Sequence, residues 1–355
     1  MNRPTLYGLD LEEIKAWTSR HQVPAYRAGQ LSHWLYQKHL LDLAEAKNLP
    51  SDLRARILKD FSVGSLELTE AREGLESTKF LFRTPEGRLL ESVLISQRGR
   101  KTVCLSTQLG CKIGCVFCAS GKGRFGRNLT AGEIVEQAAR IERKTGRVTN
   151  IVFMGMGEPL DNFEATMKAL RILQAPWGFG LGARRITVST SGITPKIKEF
   201  VERNEGRVRL SVSLHSSDEA RRTGLVPINK RYSLKELRET LAEIRRRLKR
   251  EITFEYTLID SVNDSDEEAE GVAKIARPLN AKVNIIPYNP IREMDFKTPS
   301  AQKMDRFAGI LRRRSIRVTI RQTAGRGIDA ACGQLRMDRE NASTSAPDTR
   351  APVKG

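Results

Sequence analysis

The chain has no run of apolar residues long enough to span a bilayer, which takes about 20. Its opening, MNRPTLYGLDLEE, lacks the basic-then-apolar pattern of a secretory signal. From both absences we expect a cytoplasmic protein with no membrane partner. The cysteines do not suit a disulfide framework: five is an odd count, and three fall within positions 111–118, which points to metal or redox chemistry in a reducing compartment. Negative charge is also short. Lys and Arg number 61 against 42 Asp and Glu, a formal net charge of +19. Runs such as Arg245-Arg246-Arg247-Leu248-Lys249-Arg250 and Arg312-Arg313-Arg314 read singly as solvated helix faces. The whole surplus favours a polyanionic partner, most commonly nucleic acid, although charge alone does not separate RNA from DNA or an anionic membrane surface.

The three clustered cysteines, Cys111, Cys115 and Cys118, have the spacing CxxxCxxC. A closed structural zinc or a four-cysteine iron–sulfur cluster takes all its ligands from the protein, whereas three thiolates leave one iron open to an outside ligand. The spacing, with Phe117 before the last cysteine, resembles the signature of the radical S-adenosylmethionine (SAM) superfamily. That resemblance implies a 4Fe–4S cluster whose open iron binds SAM. A competing reading is an RNA-binding protein with a structural zinc held by the three cysteines and His215.

A chain of 355 residues is expected to hold one large domain and a small one. Residues 1–75 read as short helices, with candidates at 9–18, 28–39 and 50–61. Residues 76–101 read as a β-hairpin linker region, its strands at 78–83 and 88–96 parted by the turn Thr84-Pro85-Glu86-Gly87. In 102–335, strands predicted at 102–106, 148–154, 185–190, 208–214, 252–259, 282–287 and 317–321 alternate with helices at 131–144, 162–173, 194–204, 234–249, 265–277 and 300–313. This alternation predicts an α/β fold with a parallel sheet, curved or partly closed rather than flat. Thr130 and Glu133 predict a capping box where the cysteine loop ends. Residues 336–355 lose apolar periodicity and are expected to form a disordered tail.

Two further cysteines narrow the reading. Cys104 precedes the triad, and Cys332 lies in the Gly-flanked segment GRGIDAACGQL. With CLSTQLGCKIGCVFC, RNLTAGEI, FMGMGEPLDN, ITVSTSG, SVSLHS, IPYNP and RQTAGRGIDAACGQL in order, the chain over about residues 1–335 resembles the RlmN/Cfr family of radical SAM RNA methyltransferases. The resemblance implies a partial (β/α)6 TIM-like barrel with a small helical N-terminal accessory domain that contacts RNA. It implies methylation of C2 of adenosine in 23S rRNA and tRNA, using two SAM molecules per turnover, an external electron donor and a thiol reductant. Cys332 would carry the methyl as S-methylcysteine, Glu91 would accept the C2 proton, and Cys104 would resolve an enzyme–RNA adduct by forming a disulfide with Cys332. Gly157, Glu158, Ser189, Ser213, Leu214, His215 and Asn289 occupy the family's SAM-binding positions. Lys122, Arg124 and Arg127 are candidates for phosphate contacts or solvated loop charges. Methylation at C8, as in the Cfr branch, shares the same catalytic residues. A radical SAM activase acting on a partner protein would leave the basic surplus and Cys104/Cys332 unexplained. We expect a monomer.

Overall fold

The computed structural model describes residues 3–321 and 328–335. The expected tail at 336–355 and Gln322 to Gly327 of the last motif lie outside these residues. Three helices open the chain: α1 (Leu11–Arg20), α2 (Tyr26–Tyr36) and α3 (Ser51–Asp60). Helix α1 begins at a capping box in which Asp10 accepts from the Glu13 N–H and Glu13 accepts from the Asp10 N–H. Its inward residues Ile14 and Trp17 join Leu31, Leu35 and Ile57 in a core cluster that runs on through the barrel.

A strand that the sequence reading did not single out, β1 (Glu67–Glu73), follows. The helical reading of 1–75 is therefore corrected beyond α3. Its sequence ELTEARE has no buried residue, because it is a sheet edge. Next come β2 (Ser77–Arg83), β3 (Leu89–Gln97) and β4 (Arg100–Cys104), paired antiparallel in sequence order. Gly87 closes the β2–β3 turn at φ +79°, a conformation that favours glycine.

From β4 onward every pair is parallel. The chain passes through α4 (Ala119–Lys122) and α5 (Ala131–Thr145) to β5 (Asn150–Phe153), then α6 (Phe163–Gln174) to β6 (Ile186–Thr190) and α7 (Thr194–Arg203) to β7 (Arg209–Ser213). It continues through α8 (Glu219–Leu225) and α9 (Leu234–Ile244) to β8 (Thr253–Leu258), α10 (Asp266–Ala276) to β9 (Lys282–Pro287), and α11 (Ala301–Arg313) to β10 (Val318–Ile320). The ten strands lie in sequence order, and among the described residues no pair joins β10 back to β1 or β4. This is an α/β sheet, open at one side among the described residues.

Helix α9 stops at Ile244 rather than 249. The Lys249 N–H pairs with the Gly206 carbonyl at 3.0 Å, and Leu248 is buried as the chain turns toward β8. The Thr130/Glu133 capping box forms as expected. The N-terminal helices dock through the Ser32 hydroxyl, which donates to the Trp177 carbonyl at 3.0 Å. The linker after α3 is held by buried Glu136 of α5, which accepts from the N–H groups of Ser65 (2.8 Å) and Leu66 (3.1 Å). Among the described residues no helix is long and apolar enough to cross a membrane.

Candidate active site

Parallel strands with helical crossovers open their carboxyl ends into a shared crevice. Here that crevice is a cleft of about 880 Å³ lined by Cys111, Cys115, Cys118, Gly157, Glu158, Ser189, Ser213, His215, Asn289 and Cys332. Of the predicted SAM contacts only Leu214 is not on its wall. That side chain is buried in the core, and its N–H donates to the Glu255 carbonyl at 3.0 Å.

The cysteine loop is bracketed from two sides. The Val116 N–H donates to the carbonyl of Leu225 at the end of α8 (3.1 Å), and Phe117 meets the His215 ring edge-on, centroids 4.6 Å apart. Burial raises the pKa of all three thiols, that of Cys111 to about 12, so they give up protons most readily when a cation replaces them. Among the described residues no three His, Cys, Asp or Glu side chains converge closely enough to hold one metal ion. A mononuclear zinc site at the triad and His215 is therefore not preformed. His215 is also engaged elsewhere: its Nδ1 accepts from the Thr257 N–H at 2.9 Å. Burial lowers its pKa to about 3, so it stays neutral at physiological pH. Three thiols spread around one cleft are a donor set that suits a 4Fe–4S cluster and its open iron.

The loop after β5 forms the next wall. Gly157 has φ +102°, and a Cβ there would lie 2.6 Å from Gln108 Cβ, so the turn excludes other residues. Gln108 accepts from the Glu158 N–H at 2.9 Å. The fully buried Glu158 carboxylate accepts from the N–H groups of Leu160 (3.0 Å) and Ser191 (2.7 Å), tying the ends of β5 and β6 together. Its pKa is raised by burial against these opposing hydrogen bonds.

Cys332 stands where this cleft meets a second cavity of about 590 Å³, whose walls include Cys104, Val93, Ile95 and Arg321. Distant in sequence, Cys104 and Cys332 thus face one space. The Cys332 segment is stapled to the cysteine loop: the Ala119 N–H donates to Gly333 O (2.7 Å) and the Ser120 hydroxyl to Leu335 O (2.7 Å). Asn289 donates to the Cys332 carbonyl at 3.1 Å. All five cysteines are free thiols, so a Cys104–Cys332 disulfide is not a resident bond of this fold. The Cys104 pKa is raised to about 12, first by burial and then by the facing Cys332.

Glu91 is buried on β3 and lines neither cavity. It forms an ion pair with buried Lys79 of β2, Nζ to Oε1 3.2 Å. Lys122 and Arg124 are exposed beside the cysteine loop, whereas Arg127 is spent on ion pairs with Glu133 (2.6 Å) and Glu86 (2.9 Å). Of the two readings of Arg127, phosphate contact or solvated loop charge, neither included these carboxylate partners.

Several residues of this site carry no sequence signal. Arg222 on α8 is fully buried and donates to the carbonyls of Ser191 (2.8 Å), Ser213 (3.0 Å) and Leu214 (3.2 Å) and to the Asn229 side chain. Glu255 of β8 faces the cleft and accepts from Ser211 (3.0 Å) and Asn284 (2.6 Å). Arg321 lines both cavities, and the facing Cys332 raises its pKa further. In the sequence each reads as an ordinary charge at a strand end or in a short helix.

Comparison with known proteins places this architecture. Residues 105–271 match the radical SAM superfamily, and residues 5–63 match the ribosomal RNA large subunit methyltransferase N-terminal domain. A relative from Geobacillus kaustophilus, named probable dual-specificity RNA methyltransferase RlmN, is 42% identical over 348 residues, 96% of this chain and 94% of its own. One from Nautilia profundicola, named dual-specificity RNA methyltransferase RlmN, is 41% identical over 334 residues, 90% of this chain and 94% of its own. The crystal structure of a radical SAM methyltransferase from Sphaerobacter thermophilus superposes with a TM-score of 0.89 at 44% identity, covering 94% of this chain and 99% of that one. Agreement in sequence and fold over nearly the whole length makes this chain a member of the RlmN family of SAM-dependent radical SAM RNA methyltransferases.

Proposed function

We propose that the chain methylates C2 of adenosine in 23S rRNA and in tRNA through a methylated Cys332. The observation that carries the sulfur relay is the meeting of Cys104 and Cys332 in one cavity beside the cysteine triad, and the choice of C2 over C8 follows the likeness to relatives named RlmN. C2 of adenine is an electron-poor sp2 carbon with no electron pair to attack a sulfonium methyl, so ordinary methyl transfer fails there. A sulfur relay removes the difficulty.

The thiols of Cys111, Cys115 and Cys118 would hold the 4Fe–4S cluster, and the walls at Gly157, Glu158, Ser189, Ser213, His215 and Asn289 would hold SAM. When bound, these groups supply a methyl for displacement and, with an electron from an external donor, a 5′-deoxyadenosyl radical, consuming two SAM molecules per turnover. Cys332, having lost its proton, would attack the methyl carbon and become a thioether as the sulfonium S–C bond breaks and S-adenosylhomocysteine leaves. Removal of one hydrogen atom from that methyl leaves a methylene radical on Cys332, which bonds to C2 of the adenine and puts the unpaired electron on the ring. Glu91 accepts the C2 proton, the electron pair of the C–H bond returns to the ring, and the unpaired electron passes back to the external redox partner that supplied one electron at the start.

Cys104 then attacks the sulfur of Cys332. The S–S bond forms as the S–C bond breaks, the electron pair of the S–C bond takes up a proton, and the carbon stays on the RNA as its methyl. Alkylation of Cys332 aids this step, because a thioether carries no charge to oppose ionisation of Cys104. An outside thiol reductant restores both cysteines. Residues 1–75, with the exposed Lys122 and Arg124, would contact RNA around an unstacked adenosine.

The test is turnover with SAM deuterated on its methyl group. The relay requires a product methyl with two of the three deuterons; transfer of an intact trideuteromethyl group would exclude it.

A further inference from the structure

The run Arg245-Arg246-Arg247-Leu248-Lys249-Arg250 takes no part in the cleft. Its first two residues close one end of a groove of about 1180 Å³ on the outer flank of the barrel, between α9 and the end of α10. Lys235, Arg238, Ala242, Arg245 and Arg246 form one wall, and Ile275, Pro278 and Leu279 form the other. The positions along α9 recur every three or four residues and so share one helix face, a row about 15 Å long. Arg245 Nε donates to the Leu279 carbonyl at 2.7 Å, tying the two walls together at the end of α9.

A run of cations is ordinarily a solvated face, and two observations set this one apart. Elsewhere on the outer helices cations are matched across helices: Arg203 with Glu164 (2.7 Å), Arg306 with Asp266 (2.7 Å) and Arg314 with Glu270 (2.7 Å). Among the described residues Lys235, Arg238 and Arg246 are exposed and pair with no carboxylate, and Glu239 is the one acid on the groove wall. The groove also leads to a basic rim. Where the chain passes from α9 into β8, exposed Arg184, Arg185, Arg209 and Arg250 stand at or just before the amino ends of the neighbouring strands β6, β7 and β8. Arg209 Nε donates to the Arg184 carbonyl at 2.8 Å, which places the guanidinium and leaves its charge uncompensated. Glu205 and Glu251 beside this rim pair with Arg207 and with Lys282 and Arg317.

The catalytic cleft lies at the carboxyl ends of these strands, and the six residues of β8 set its two ends ~17–20 Å apart. We propose that the α9 groove and the rim beside it form a second RNA-contacting surface, which holds the phosphodiester backbone of a folded RNA outside the segment that enters the cleft. A row of unpaired cations along a concave wall complements a chain of phosphates, and binding there releases condensed counterions without reading bases. The inference rests on RNA being the substrate and not on which carbon is methylated.

The experiment titrates full-length protein with its cluster reconstituted, under anaerobic conditions, into two labelled RNAs: a full tRNA transcript, and the short stem-loop cut from it that carries the target adenosine. Fluorescence anisotropy over a range of salt compares wild type, the groove variant Lys235→Gln/Arg238→Gln/Arg246→Gln, and a control of equal charge change, Arg203→Gln/Arg306→Gln/Arg314→Gln. For the groove variant, affinity for the full transcript should fall at least ~10-fold at about 0.1 M salt, and the slope of log affinity against log salt should flatten by ~2–3, about one for each phosphate contact removed. Its affinity for the stem-loop, and its single-turnover rate on saturating stem-loop, should match wild type. The control should stay within ~3-fold of wild type on both RNAs, since exposed charges away from the contact are screened.

An unchanged salt slope in the groove variant overturns the proposal. So does an equal loss in the control, which would reduce the effect to net charge, and so does an equal loss on the stem-loop, which would put the effect at the cleft. Retained RNA affinity together with lost binding to phosphatidylserine vesicles would assign the groove to an anionic membrane and overturn its assignment to RNA. Wild type that binds neither RNA refutes RNA as the substrate, a result distinguishable from failure at the groove alone.

Discussion

Arg222→Met is the sharpest perturbation that the site offers short of its cysteines. The wild-type guanidinium is wholly buried and satisfies the strand-end carbonyls of Ser191, Ser213 and Leu214 together with the Asn229 side chain. Burial lowers its pKa to about 10, so it is charged at pH 7. Methionine fills similar volume but donates nothing, so the Ser191 and Ser213 carbonyls and the Asn229 side chain lose a donor, while the Leu214 carbonyl keeps the Ser216 N–H at 2.8 Å. Each buried neutral acceptor that loses its donor costs about 1–3 kcal/mol, so the network loses on the order of 3–5 kcal/mol. At ~2 °C per kcal/mol for a domain of this size, unfolding should shift down by ~6–10 °C. Because the stranded carbonyls belong to the walls of the cleft, SAM affinity should fall by about tenfold, equivalent to ~1.4 kcal/mol. Arg222→Lys, which keeps the charge but loses the planar fork, should recover part of both losses. Anaerobic scanning calorimetry and equilibrium binding of SAM to cluster-loaded protein provide the readings. Unfolding within ~1 °C of wild type together with unchanged SAM affinity would refute the argument that this arginine organises the strand ends.

The remaining predictions concern the relay and its surroundings. Cys332→Ala should show no protein-bound methyl and no product, whereas Cys104→Ala should methylate Cys332 and then remain covalently attached to RNA; denaturing gels check both, and free turnover by Cys104→Ala would remove its resolving role. Glu158→Ala loses charge-assisted hydrogen bonds to Leu160 and Ser191, each worth ~1.5–3 kcal/mol, so SAM should bind at least ~10-fold more weakly by calorimetric titration. His215 has a folded pKa near 3 against an ordinary 6.5. Its unfolded form takes up a proton first, so its contribution to stability is full above pH 6.5 and is lost as pH falls toward 3, by up to a few kcal/mol. Urea unfolding of cluster-free wild type and His215→Gln at pH 7, 5 and 4 tests this, and identical acid sensitivity in the two would contradict it.

The sequence exposed those parts of the fold whose signals are local. Strand β9 and helix α11 were readable because apolar periodicity is carried by buried residues facing a core, and α5 because Thr130 and Glu133 cap it reciprocally. Strand β1 was missed because its polar ELTEARE has no buried residue to set the alternation. The triad was legible from its spacing alone, whereas the roles of Cys104 and Cys332 were reached only through family resemblance. Their common cavity is made by β4 and by the segment beyond β10, which local pattern cannot bring together. Arg222 lies in a seven-residue helix among other cations and reads as solvated until the fold surrounds it. Lys79 and Glu91 are each unremarkable strand charges, and only the β2–β3 register makes them a buried pair. The two carboxylate partners of Arg127 were likewise not legible, since Glu86 lies far from it in sequence.

The central claim, methylation of C2 through the cysteine relay, is tested most directly by mass spectrometry of nucleosides. RNA from cells lacking the modification would be reacted anaerobically with cluster-loaded protein, SAM and a reductant, and 23S rRNA and tRNA digested separately. The account predicts 2-methyladenosine in both RNAs. 8-Methyladenosine in its place, or no methylated adenosine despite an intact cluster and a methylated Cys332, would contradict it.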